Sequence, residues 1–341
     1  MAIQIAIIGL GQIGASVGLA LAQHPKLVTR VGHDRELENA RRAEKLGAVD
    51  RVTVNLISAV READLVLLSL PIDQIRETLV HIAPELKESA VVMDTGPVKE
   101  VVAAWAGEIL PQGRYYVGLT PVLNPDYLHE HTSGINAAHA DLFQKGLIAI
   151  IAPPRTPSEA IKLAADLARL LGSAPLFFDP VEIDSLMAAT HILPQLAAAA
   201  LLNATVDQPG WREGRKIAGR AFSECTNPVV LQSEPEAISS SALLNRDNVL
   251  RWLDGLIQSL TSMRSALVEQ DIAGLEERLQ RARRARETWW QQRQAADWLA
   301  EESGAARQRP GNLQDPDEKS RPEGLSRLLG LAPRSRLGRK P

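Results

Sequence analysis

The sequence predicts an α/β fold, a doubly wound parallel sheet followed by an all-helical C-terminal domain, and three observations carry that reading. Short aliphatic runs alternate with helically spaced segments over the first 150 residues. A glycine-rich turn, GLGQIG, closes the first aliphatic run and opens the first helical segment. Past Pro153-Pro154 the alternation gives way to almost unbroken helical spacing.

The elements follow in order. Residues 3–8, 27–32, 65–70, 90–94, 115–118 and 147–151 are short and aliphatic, as expected of parallel strands that are apolar on both faces. Between them, residues 13–23, 36–46, 73–83 and 98–110 repeat apolar side chains at helical spacing. Beyond the double proline, 157–171 reads as a helix and 174–178 as one more strand. Two long helices are expected at 248–267 and 272–294, with Asp271 capping the second. A sheet domain over 1–152 and a helical domain over 153–300 follow from this pattern. From residue 301 to 341 the chain is polar, rich in proline and glycine, and basic at its end, the composition of a disordered tail.

Composition narrows the function classes. A chain of 341 residues has room for two cores, and 45% hydrophobic with 23% charged residues is ordinary for a globular protein. A net charge of −3 gives no general attraction for nucleic acid or an anionic membrane, and no basic surface interleaved with aromatics stands out. The single cysteine, Cys225, excludes an internal disulfide and fits a reducing compartment. The opening MAIQIAIIGLG lacks a basic segment and breaks at Gly9 and Gly11, unlike a secretory signal. Residues 186–206 are apolar but carry His191, Pro194, Gln195 and Asn203, which suits a core helix better than a membrane span. The 7 histidines do not join Cys225 or carboxylates at ligand spacing, so no metal is expected. A cytoplasmic protein is the expectation.

Gly9-Leu10-Gly11-Gln12-Ile13-Gly14 matches G-x-G-x-x-G in the context that motif needs, after a strand and before a helix. The first glycine makes the tight turn, the second lets backbone approach a pyrophosphate, and the third lets helix and strand pack closely. The anion would meet the free N–H groups of the helix N-terminus. Asp34 lies 20 positions after Gly14, where a carboxylate accepts from the ribose hydroxyls and disfavours a 2′-phosphate. The expected cofactor is therefore NAD, with neighbouring Arg35 leaving NADP open. Leu70 and Pro71, at the end of ADLVLLSLP, complete the expected cofactor set of a Rossmann-type domain.

Several segments together resemble the prephenate/arogenate dehydrogenase family of tyrosine biosynthesis. They are GLGQIGASVGLAL, GHDRELENARRAEKLGAVD, ADLVLLSLP, MDTGPVKE, YVGLTP, TSGINAAHADLF, THILPQLAAAAL, AGRAFSECTN and RDNVLRWLDGLIQSLTSMRSAL, spanning roughly residues 3–290. The resemblance implies oxidation of a cyclohexadienol, prephenate or arogenate. Hydride passes to a nicotinamide, the hydroxyl loses its proton, and carbon dioxide leaves as the ring becomes aromatic. It also implies a homodimer built through the helical domain, which would then serve substrate binding and dimerisation.

Carried over residue by residue, the resemblance is uneven on the substrate side. Thr120 stands where the family has its histidine base, and Pro97 where it has a substrate-contacting serine, although Lys99 is retained. His191 matches a helical-domain histidine, and Asn227 replaces an arginine that holds a substrate carboxylate. A positioned base is worth about 10²–10⁴ in rate, so a substitute is expected. His129 and His131, in a loop longer than the resemblance implies, and His191 are the candidates. Arg215, Lys216 and Arg220 are candidate carboxylate partners, and Lys99 is expected in the cleft. Two alternatives stay open: a dehydrogenase with a different substrate, and an NAD-binding paralogue with a regulatory role. The related 3-hydroxyacid dehydrogenases rely on a helical-domain lysine, and residues 186–201 contain none.

Overall fold

The computed structural model describes residues 2–230 and 235–296. Its sheet forms from β1 (Ile3–Ile8), β2 (Val28–His33), β3 (Arg51–Val52), β4 (Leu65–Leu68), β5 (Val91–Asp94), β6 (Tyr115–Pro121), β7 (Leu147–Ile151) and β8 (Ala174–Phe177). The spatial order is β3-β2-β1-β4-β5-β6-β7-β8. Helices α1 (Gln12–Leu21), α2 (Leu37–Lys45), α3 (Leu56–Val60), α4 (Ile72–Ile82), α5 (Glu100–Ile109) and α6 (Ser158–Leu170) connect the strands.

Alternate side chains of each strand feed two separate cores. Ile5, Ile7, Val117 and Leu119 pack with Val17 and Leu21 of α1 and Leu163 and Leu167 of α6. Ala6, Ile8, Val66 and Leu68 pack on the other face with Ile75 and Leu79 of α4 and Val102 of α5. Burial on both faces explains the continuous aliphatic runs, because every side chain of such a strand meets a helix.

Two expectations need correction. Residues 147–151 form a strand, but β7 pairs antiparallel with β6, Thr120 opposite Ala149. The connection between them holds only two short 3₁₀ turns, Pro125–Tyr127 and Gly134–Ala137, so the chain returns without a crossover helix. The sheet also continues past residue 152: α6 covers it, and β8 pairs parallel with β7. β3 and α3, of 2 and 5 residues, are too short to carry a periodic signal.

The remaining helices are α7 (Pro180–Met187), α8 (Leu193–Val206), α9 (Trp211–Ile217), α10 (Arg220–Thr226), α11 (Pro235–Leu244), α12 (Arg246–Val268) and α13 (Ile272–Ala295). A π turn over Ala188–Ile192 joins α7 to α8. The resulting Pro180–Val206 helix is long and apolar enough to cross a bilayer by length and composition. Its Ala188 and Ile192 instead pack on Val249 of α12, and its Asp184 is buried. Asp271 caps α13 as expected, accepting from the Gly274 amide at 2.9 Å. The tail expected over 301–341 lies outside the described residues.

Candidate functional site

The sheet order reverses between β1 and β4, and the crevice outside their C-terminal ends is where such sheets take a ligand. Gly9 adopts φ +89, and a Cβ there would lie 2.2 Å from the Ser69 carbonyl oxygen. A Cβ on Gly14 would lie 1.9 Å from the Gly9 carbonyl oxygen, so both positions require glycine. Around Gly11 nothing approaches within 4 Å of a Cβ position, which leaves the backbone open to a bulky anion. The α1 N-terminus has no side-chain cap and no acid in its first turn. Its amides, aimed at that opening, fit a pyrophosphate.

Asp34 stands at the mouth of this crevice. Its carboxylate accepts from the Leu10 amide at 2.7 Å and the Glu36 amide at 2.8 Å. These bonds orient the group and leave lone pairs for ribose hydroxyls. Leu10 is fully buried and contributes through its backbone, while Gln12 and Ile13 are half-buried at the helix start. Leu70 and half-buried Pro71, the latter at the N-terminus of α4, line the β4 side. Arg35 is exposed beside Glu36, 3.8 Å away.

β6 carries the residues expected on the substrate side. Tyr116, Gly118 and Thr120 share one face of that strand, since successive side chains alternate. Beneath them the Asp94 carboxylate receives the Tyr116 hydroxyl at 2.5 Å, the Gly96 amide at 2.7 Å and the Lys99 ammonium at 2.7 Å. Asp94 and Lys99 are both 0% exposed. The lysine fits because a Cβ on Gly118 would come within 2.9 Å of its Cδ. Burial pushes the Lys99 ammonium below its ordinary pKa, against the pull of Asp94. Burial and the Asp94 charge push Tyr116 well above its own. Lys99, expected in the cleft, is enclosed beneath Gly118 with its charge met by Asp94.

Thr120 is 5% exposed, and its Oγ1 has no hydrogen-bond partner among the described residues. A buried hydroxyl left this way carries a desolvation penalty. Opposite it, Ala149 packs with Ile151, Ile183 and Met187, which brings the α7 helix to this face of the sheet.

Asp184 fixes that helix in place. Its carboxylate accepts from the Lys99 amide at 2.6 Å and the Glu100 amide at 3.1 Å, capping α5 from another part of the chain. Burial pushes its carboxyl pKa up to about 6 despite these bonds. Asn245 donates to the Asp184 carbonyl oxygen at 2.7 Å, tying α12 to the same turn. His191 follows Met187 by four residues, within the π turn, where the wider turn re-aims side chains relative to an α-helix. The ring is half-buried, and burial holds its pKa below the ordinary value, so it is neutral at pH 7.

Other expected residues gather elsewhere. His129 and His131 are exposed on the β6–β7 loop, with the His129 ring 5.1 Å from that of Trp290. Both lie near Glu224, which Arg220 already occupies at 2.6 Å. Lys216 is paired with Glu213 at 2.6 Å, and Arg215 is exposed. Asn227 is half-buried and starts the 3₁₀ turn Asn227–Val229. Pro97 is half-buried in the turn between Asp94 and Lys99. Sequence reasoning missed Asp94, Tyr116, Asp184 and Asn245. The signal for two of them was present: an acid ending an aliphatic strand in MDTGPVKE, and a lone acid in VEIDSLM.

Comparison with known proteins supplies the context. Residues 17–174 match the family described as prephenate dehydrogenase, nucleotide-binding domain, and 179–281 match prephenate dehydrogenase, dimerization domain. Cyclohexadienyl dehydrogenase of Zymomonas mobilis is 30% identical over 284 residues, 83% of this chain and 94% of that protein. Prephenate dehydrogenase of Bacillus subtilis is 26% identical over 269 residues, 78% of this chain and 71% of that one. In fold, the chain is similar to a prephenate dehydrogenase from A. aeolicus solved in complex with hydroxyphenyl propionate and NAD+. The TM-score is 0.74 at 23% identity, over 84% of this chain and 98% of the other.

Proposed function

This chain belongs to the prephenate dehydrogenase family, and from that premise we propose that it is an NAD-dependent dehydrogenase oxidising prephenate or arogenate with loss of carbon dioxide. The observation that carries the reading is the pairing of a glycine-built crevice at β1 and β4 with the buried, unpartnered Thr120 hydroxyl on β6. Asp34 favours NAD, since a 2′-phosphate would meet its charge.

When bound, the nicotinamide accepts the hydride. Thr120 Oγ1 then hydrogen-bonds the substrate hydroxyl and orients it. A ring nitrogen of His191, neutral at pH 7 because burial disfavours the imidazolium, takes the hydroxyl proton. Asp94 and Lys99 hold the cleft floor, and Asp184 holds the helix that carries His191 against it. Pro97, in the turn between β5 and α5, stands on the substrate side where the resemblance places a serine, and Asn227 offers a neutral amide where it places an arginine.

A homodimer through the helical region belongs to the same proposal. Its support is the dimerization-domain match and the exposed apolar side chains of that region, among them Ile217, Leu243, Ile257 and Leu260. A cytoplasmic location is also proposed, supported by a lone cysteine in 341 residues.

The test is direct. Purified protein given NAD and prephenate, or NAD and arogenate, should build up reduced-nicotinamide absorbance and release carbon dioxide. Tight NAD binding without turnover on either substrate would overturn the reading in favour of a non-catalytic NAD-binding protein.

A further inference from the structure

α13 is solvated along almost its whole length, and the one residue it buries is Arg293 in its last turn, 4% exposed. Its guanidinium donates from Nη2 to the carbonyl oxygen of Leu123, three residues past Thr120 where the chain leaves β6. Three residues before it on the same helix, the Trp290 ring lies against His129, with centroids 5.1 Å apart and planes at 57°. One helix end thus touches the β6–β7 loop at its exit from the sheet and again further along.

The loop's other fastenings come from the sheet domain. The Asn124 amide donates to the Leu142 carbonyl at 2.7 Å, and the Tyr127 hydroxyl to Asp141 at 2.6 Å. Glu130 meets His139 at 2.9 Å, and the His139 amide donates to Ser16 Oγ of α1 at 3.0 Å. Those contacts, together with the Val122 amide on the Leu147 carbonyl at 2.8 Å, fasten the loop on both sides of Leu123, and the Leu123 carbonyl between them is met by Arg293. Burying a guanidinium is costly, and burial pushes its pKa down.

We propose that Arg293, with Trp290, is a positioning residue for the reaction: the end of α13 clamps the segment following β6 and so fixes Thr120 against the substrate. The proposal rests on the reading of Thr120 as part of the substrate site. It predicts that Arg293→Met raises KM about tenfold with a smaller change in kcat, the effect of losing one charge-assisted hydrogen bond. NAD affinity should stay at the wild-type value, and Arg293→Lys should recover part of the loss.

Hydrogen exchange on the free full-length protein tests the clamp without turnover. The protected amides Val122, Asn124 and Tyr127 should exchange about tenfold faster in Arg293→Met, with the β1 and β4 amides unchanged. Wild-type exchange at these amides would overturn the proposal, and so would an even acceleration across the whole sheet, since that marks general destabilisation. Faster local exchange with KM unchanged would overturn the positioning role. If the wild-type protein turns over neither substrate, the proposed function falls. Exchange at these amides then decides whether the clamp itself exists.

Discussion

Replacing Asp184 by asparagine should make the protein more stable at neutral pH, although the change removes a buried cap. Asp184 is 2% exposed, and its carboxyl pKa is about 6 against a reference of 3.8. That difference corresponds to about 3 kcal/mol of preference for the protonated form in the folded state. The sign follows from linkage. A carboxyl whose folded pKa is raised contributes stability below its unfolded pKa, and that contribution is lost as pH rises through the folded value. Between pH 4 and 7 the wild-type protein should therefore lose about 2.4 kcal/mol from this group alone. Asparagine resembles the protonated acid: one oxygen still accepts the Lys99 amide, and no charge is buried. Urea unfolding followed by tryptophan fluorescence should give equal stabilities near pH 4 and a gap opening to about 2–3 kcal/mol in favour of Asp184→Asn at pH 7. A gap that stays flat, or wild type gaining stability as pH rises, would refute the reasoning. It would mean that the two α5 amides outweigh burial and hold the carboxyl below 3.8.

Three further outcomes are expected. Thr120→Val should leave stability unchanged or raise it by about 1 kcal/mol, because a methyl replaces a buried hydroxyl with no partner, while kcat/KM falls about tenfold. Stability and activity falling together in that variant would show the hydroxyl to be structural. Lys99→Met should destabilise by about 3–5 kcal/mol, by leaving the Asp94 charge buried without its cation, and adding Asp94→Asn should recover part of the loss in a double-mutant cycle. His191→Asn should lower kcat by about 10²–10⁴, and the wild-type rate should rise with pH through an apparent pKa below 6.5. An unchanged rate in His191→Asn would send the search for the base back to His129 and His131.

The glycine crevice and its caps were legible because their chemistry is local. GLGQIG, Asp34 and the Asp271 cap each act within a few residues of chain, where turn sterics and helix ends leave few choices of residue type. Lys99 shows the opposite case. Its position after a strand pointed to the cleft, yet Gly118 and Tyr116 close over it, and nothing near Lys99 in the chain says so. His129 and His131 were plausible bases by chain distance from Thr120, but their loop turns them outward toward Trp290 and Glu224.

The sequence by itself determined the strands, most of the helices and the glycine crevice, since hydrophobic period and backbone sterics act over short stretches. The tertiary structure decided the antiparallel return of β7, which follows from a connection without a crossover helix. It also decided which charges are buried. The Tyr116–Asp94 bond joins residues 22 apart, and the Lys99–Asp184 bond joins residues 85 apart. Whether an ionisable group is a catalyst or a pillar depends on what encloses it, and only the folded chain brings those neighbours together.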